Sequence, residues 1–259
     1  MLQFDWSCTA RDLVLFIPNH GRKNYLRSCL ASLTQTRVPR ERWLVLVGND
    51  GLDEPMDDLE AEFNLRWFTL RRAHQEIPRN GAFIRNYVIK RCRSVFLFQK
   101  DPEVALVSGN PDYDIIQHMM EIGTFKIWRN GRPFDMEFPD EFISSGFPID
   151  RRFIPKCIPP APGLVGTHWG FCIRTDDLRN IRGYDERFTS YGPEDGDLLR
   201  RLIRLGFTFR YDPYVYALHV HHAVENAGHE RMCALGKAIE IDPPVRNDPD
   251  LWGEGATEL

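Results

Sequence analysis

Along the first hundred positions, short unbroken apolar runs alternate with stretches in which apolar residues recur every three or four positions. Residues 13–17 (LVLFI) form such a run and stop at Pro18, as a strand buried on both faces does. Tyr25, Leu26, Cys29, Leu30 and Leu33 then follow at helical spacing. A second strand is predicted at 43–47 (WLVLV), ending in GNDG, then an acidic amphipathic helix at 54–63 and a third strand at 65–70. Phe83, Ile84, Tyr87 and Val88 mark the apolar face of a helix over 80–92, with Arg91 on its flank, before a fourth strand at 95–98.

The pattern changes after residue 104. A helix is predicted over 111–122, and the stretch to 165 is rich in Pro, Gly and aromatics with no clean period. It reads as loops and short strands that shape a cleft. Regularity returns with a strand at 168–174 and a short helix at 175–180. Leu198, Leu199, Leu202, Ile203 and Leu205 then mark a helix that ends at Gly206. Strands at 207–211 and 214–220 close the pattern. The stretch beyond 226 is polar and broken by DPP and NDPD, and is read as a tail.

Strand–helix alternation of this kind predicts an α/β fold with a mostly parallel central sheet flanked by helices, and ligands beyond the C-terminal strand ends. We divide the chain into a domain at 1–225, with halves at about 1–104 and 105–225, and the tail at 226–259.

Composition narrows the function classes. With 33 basic and 37 acidic residues the net charge is −4, so there is no bulk electrostatic case for nucleic acid or a membrane surface. Six cysteines without a C-x-x-C spacing argue against a disulfide scaffold or zinc ribbon and for reduced thiols. The N-terminus shows no basic and apolar leader, and no apolar run has the length of a membrane span. The expectation is a cytoplasmic protein with no transmembrane segment. A dinucleotide fold or P-loop kinase is disfavoured, because no GxGxxG follows the first strand and no GxxxxGK[ST] occurs.

Candidate chemistry sits at the strand ends: Asn19 and His20 after the first strand, Asn49 and Asp50 after the second, Asp101 and Glu103 after the fourth. Asp101-Pro102-Glu103 can cap a turn, with Glu103 solvated, or it can offer hard oxygens to Mg²⁺ or Mn²⁺ whose shell substrate phosphates complete. Gln99 and Lys100 are unexpected at an apolar strand end, and Lys100 is a candidate charge compensator. Glu194, Asp195 and Asp197 open a strong helix. Its dipole alone favours acids there by ~0.3–1 kcal/mol, yet the tight Gly192-Pro193 corner also suits a general base. His219 and His221 fall on one face of a strand and His222 on the other, as structural residues or as metal ligands. Arg79, Arg85 and Asn86 lie at the 80–92 helix, where Arg85 is either solvated or a phosphate contact.

With these pieces in order, the chain resembles the family 2 glycosyltransferases of the GT-A fold, over about residues 12–225. Pro18-Asn19-His20-Gly21-Arg22 stands where the family has P-T-Y-N-R, and Val47-Gly48-Asn49-Asp50-Gly51 where it has V-D-D-G-S. Ile84-Arg85-Asn86 matches A-R-N, and Asp101-Pro102-Glu103 matches D-x-D. The stretch THWGFCIRTDDLRNIRGYDERFTSYGPEDGDLLRRL (167–202) is similar, in order and spacing, to the galactosyltransferase-type segment of such enzymes. Departures are Leu52 for the serine of D-D-G-S, the altered first motif, and Glu in place of the second metal Asp.

The resemblance implies an inverting, metal-dependent hexosyltransferase that uses Mn²⁺ or Mg²⁺. Its donor would be a nucleotide sugar, UDP-linked by preference, and its acceptor a saccharide or glycolipid in surface-glycan synthesis. By the same carry-over, Pro18, Asn19, Arg22 and Arg85 belong to the nucleotide pocket, and Asn49 and Asp50 contact the base. Asp101 and Glu103 with His219 hold the metal, and Trp169 and Gly170 flank the donor sugar. Glu194 holds acceptor hydroxyls, and Asp195 is the general base. Two rivals remain at this point: a sugar-phosphate nucleotidyltransferase, for which PNHGRK is a poor triphosphate loop, and a binding relative without catalysis.

Overall fold

The computed structural model describes residues 4–33, 36–51, 54–72, 81–108, 110, 112–124, 127–129, 132–136, 170–190, 192–212, 214–220, 228–240 and 242–258. Four strands from the first half form the centre of the main sheet. These are β1 (Leu13–Asn19), β2 (Trp43–Asp50), β3 (Leu65–Arg72) and β4 (Phe96–Lys100), paired in parallel in the order β3-β2-β1-β4. Every residue of β1, β2 and β4 is buried, which is why their sequences are apolar runs and not alternations.

Side-chain alternation along these strands divides the core in two. Leu13, Leu15 and Ile17 of β1 pack with Leu26 and Leu30 of helix α1 (Lys23–Ala31) on one face. Val14 and Phe16 pack on the other face with Ile84 and Val88 of α3 (Gly81–Arg91), and helix α2 (Asp57–Glu62) leads from β2 towards β3.

The second half completes the sheet with strands that run differently. After β5 (Val104–Ser108), α4 (Ile115–Met120), β6 (Ile127–Arg129) and β7 (Arg132–Met136), strand β8 (Gly170–Arg174) inserts antiparallel between β4 and β6. Helix α5 (Thr175–Asn180) and helix α6 (Glu194–Arg204) follow, and β9 (Phe209–Tyr211) extends the sheet beyond β6. Strand β10 (Val215–Val220) lies between β5 and β7 in a separate three-stranded sheet.

The predicted strands and helices of the first half, and those between 170 and 220, are present close to their expected positions. The three short strands β5, β6 and β7 lie in the region without a clean period. Beyond residue 226 the chain also has structure: helix α7 (His229–Ala238), then β11 (Ala256–Glu258), which pairs antiparallel with β3 at the sheet edge. The Glu258 carboxylate accepts from Trp6 Nε1 (2.8 Å), the Tyr87 hydroxyl (2.9 Å) and the Phe4 amide (2.7 Å). Among the described residues no helix is long and apolar enough to cross a membrane. Cys8, Cys29, Cys92, Cys172 and Cys233 are free thiols.

Candidate active site

The strand ends predicted to carry chemistry do gather at one edge of the sheet. Asn19 and Asn49 are register partners on β1 and β2, and both are buried. Asn19 Nδ2 donates to Asn49 Oδ1 (2.9 Å) and to Glu54 Oε2 (2.5 Å), while Asn49 Nδ2 donates to the Glu54 carbonyl (2.8 Å). These side chains tie the strand ends to one another. Asn19 Oδ1 also accepts from the Arg22 amide (3.3 Å), which fixes the loop leading into α1. Pro18 sits within β1 opposite Gly48, and His20 Nδ1 donates to the Asp50 carbonyl (2.7 Å).

Strand β4 delivers the acids. Lys100 is buried, and its ammonium donates to the carbonyls of Asp101 (2.9 Å) and Val104 (2.6 Å), closing the turn between β4 and β5. Burial lowers its pKa. The two acids then part company. Asp101 Oδ1 accepts from Arg85 Nη2 (3.0 Å) and its side chain keeps 22% exposure at the cleft, whereas Glu103 forms an ion pair with Arg22 at only 3% exposure.

Arg85 is the hub of the site. It projects from α3, buried, with Asp101 on one side and Glu194 Oε1 at 3.9 Å on the other, and its guanidinium lies 5.3 Å from the Tyr184 ring centre. Burial works against its charge, but Asp195, Tyr184, Asp101 and Glu194 around it hold it protonated. Gly81 permits this approach, since a Cβ there would stand 2.6 Å from Arg85 Nη1.

Opposite stands the first turn of α6. Arg85, Gln99, Lys100, Asp101, Gly170, Phe171, Tyr184 and Asp195 line one narrow cleft. Burial, with Asp195 beside it, pushes the Glu194 carboxyl up; Arg85 only partly opposes this. Burial and the same Asp195 carboxylate keep the Tyr184 phenol protonated. Gly170 forms the floor, where a Cβ would collide with the Phe98 ring at 2.5 Å.

A second layer holds this turn in place. Asn86, the neighbour of Arg85, donates to the Tyr184 carbonyl (2.8 Å) and to Glu186 Oε1 (2.9 Å), and its Oδ1 accepts from the Tyr184 amide (2.7 Å). Gly183 makes room for it, with a φ of +63° and no space for a Cβ beside Asn86 Oδ1. Along α6, Asp197 accepts from Arg201 Nε (2.8 Å) and from Arg246 Nη1 (2.8 Å), so the segment after 226 braces the same helix.

Of the residues singled out in the sequence, Arg85, Asp101, Gly170 and Asp195 therefore line one cleft, with Glu194 beside Arg85. Arg22 and Glu103 pair with each other, and Asn19 and Asn49 bond to each other. Trp169, Arg79, His221 and His222 lie outside the described residues. The backbone of His219 is opposite Val104, the residue after Glu103. Sequence reasoning missed Tyr184 and Glu54, and gave Gln99 no role. Tyr184 lies in the GYDE motif, where an aromatic ring before two acids is the available signal.

The donor chemistry fits a divalent ion at Asp101, a hard carboxylate on the cleft wall. It does not fit at Glu103 as placed, where the carboxylate is buried on Arg22. Among the described residues, no three His, Cys, Asp or Glu side chains cluster as a metal shell.

Comparison with known proteins bears on the fold that carries this site. The family model described as the N-terminal domain of galactosyltransferase matches residues 160–223, the stretch that carries Gly170, Tyr184, Glu194 and Asp195. No curated protein sequence matches the chain. Among solved structures, S. aureus TarS 1-349 superposes with a TM-score of 0.56 at 13% identity, over 80% of this chain and 60% of that one. Its complex with UDP-GlcNAc gives 0.58 at 13% identity, over 92% and 68%. The mannosyltransferase PcManGT from Pyrobaculum calidifontis, in complex with GDP-Man and Mn²⁺, gives 0.52 at 12% identity, over 90% and 63%. The chain thus spans about 60% of the length of the first of these proteins. Its fold is that of the GT-A glycosyltransferases, and the segment that matches the galactosyltransferase family model supplies the second wall of its cleft.

Proposed function

We propose that the protein transfers a hexosyl group from a nucleoside diphosphate sugar, preferably UDP-linked, to a saccharide or glycolipid hydroxyl, with inversion at the anomeric carbon. One observation carries this reading: Asp101 and Asp195 line the same cleft, with buried Arg85 between the two acid motifs. The nucleotide-sugar complexes of TarS and PcManGT, which share the fold, support the donor class.

In this mechanism Asp195 takes the proton of the acceptor hydroxyl as its oxygen attacks the anomeric carbon. The bond from that carbon to the diphosphate oxygen breaks on the opposite side, and its electron pair leaves with the diphosphate. Glu194, held protonated, donates to an acceptor oxygen and adds no second charge beside the base. Arg85 keeps the Asp101 and Asp195 carboxylates apart and oriented. A divalent ion held at Asp101 would neutralise the leaving diphosphate. Surface-glycan synthesis in the cytoplasm is the setting that suits such a reaction.

Calorimetric titration of UDP with Mn²⁺ and then with EDTA, followed by turnover of UDP-sugars, tests the reading. Asp195→Asn is expected to keep UDP affinity and to lose transfer by about 10²–10⁴-fold. Absence of binding by UDP and by other nucleoside diphosphates, or full activity in Asp195→Asn, would sink it.

A further inference from the structure

Gln99 has no part in the chemistry above, yet its side chain is the least satisfied polar group in the cleft. It is buried within β4, two residues before Asp101, and pairs in register with Phe171 of β8. Gln99 is one of the residues around the cleft, and among the described residues neither its carboxamide oxygen nor its nitrogen, both closed off from solvent, has a hydrogen-bond partner. A buried amide in that condition destabilises the empty protein. Native interiors carry few such groups, and those that persist call for a partner from outside the chain.

The shape of the amide says what that partner is. Oε1 only accepts and Nε2 only donates, so both are satisfied by a ligand that presents a donor and an acceptor together. A diphosphate offers acceptors alone and would leave Oε1 unpaired. A hydroxylated sugar ring, or one bearing an acylamino group, offers both. The position agrees, because Gln99 shares the cleft with Asp101, Asp195 and the Gly170 floor, where the transferred group must lie.

We propose that Gln99 binds the sugar of the donor, not its nucleotide, and discriminates among donors by a paired hydrogen bond to that ring. This rests on the donor reading given above, and it goes beyond it by assigning the sugar contact to a residue outside the recognised motifs.

Gln99→Met retains the volume and removes the polar atoms. Thermal unfolding of the free protein and calorimetry with UDP and with UDP-glucose, UDP-galactose and UDP-GlcNAc then separate the possibilities. The expected result has three parts: a higher melting temperature, a UDP affinity within about twofold of wild type, and about tenfold or greater loss for the best wild-type UDP-sugar. Gln99→Leu, of similar size and also without polar atoms or charge, is expected to show the same selective loss and covers the case in which Met does not fold. Equal losses for UDP and UDP-sugar, or no loss for either, overturn the proposal. If the wild type binds UDP but no UDP-sugar more tightly, the sugar contact is refuted while the nucleotide reading stands. If it binds no nucleotide at all, both fail together.

Discussion

Two pairs of acids flank this cleft, and the protein treats them oppositely. Asp101 and Glu103 leave a strand on either side of Pro102, and each meets its own arginine, Arg85 and Arg22. Glu194 and Asp195 are adjacent at the start of a helix and share what remains of Arg85. The first pair is neutralised within the chain; the second has more negative charge than nearby cation. The Glu194 carboxyl accordingly shifts up. Similar residues at similar spacing do different work because of which cations reach them.

Three substitutions break or sharpen that contrast. Arg85→Met removes the cation both pairs use, and leaves buried acids uncompensated. A loss of about 3–5 kcal/mol is expected by chemical denaturation, together with loss of nucleotide binding. Unchanged stability would show that Arg85 is not the hub. Glu103→Gln affects only the strand-end pair. We expect a loss of about 2 kcal/mol, because Arg22 then lacks its buried counter-ion, and a weaker effect would mean the ion pair is solvent-screened.

The effect of Glu194→Gln depends on pH in size and not in sign. A carboxyl whose folded pKa is raised binds its proton more tightly in the folded state than in the unfolded chain. Wild-type stability therefore falls as pH rises from the ordinary glutamate value of 4.5 through the raised folded value. Glu194→Gln removes that slope, so the variant should match wild type near pH 4 and exceed it progressively as pH rises towards about 8. Parallel stability curves across that range would contradict the shift.

Much of this architecture is legible in the amino-acid sequence. The apolar runs at 13–17, 43–47 and 95–98 announce the sheet, because parallel strands covered on both faces leave a strong apolar signature. The region from 104 to 136 does not announce its strands, since runs of three to five residues lack the length to show a period. Cleft-lining residues are legible where a motif carries them, as with Asp101, Asp195 and Gly170. Their partners are not. That Glu103 meets Arg22 and that Asn19 meets Asn49 depends on strand register, which no single stretch of sequence states. Gln99 and Lys100 look out of place at a strand end. The oddity is a real signal, but only the structure shows that one closes a turn while the other has no hydrogen-bond partner among the described residues.

The order in which the chain emerges during synthesis gives the strand-end pair another meaning. Arg22, Arg85, Asp101 and Glu103 all precede β5, whereas the Gly170 floor and Asp195 arrive well after it. Arginines from the first hundred residues alone therefore neutralise the strand-end pair, whereas Asp195 meets the field of Arg85 only through the assembled fold.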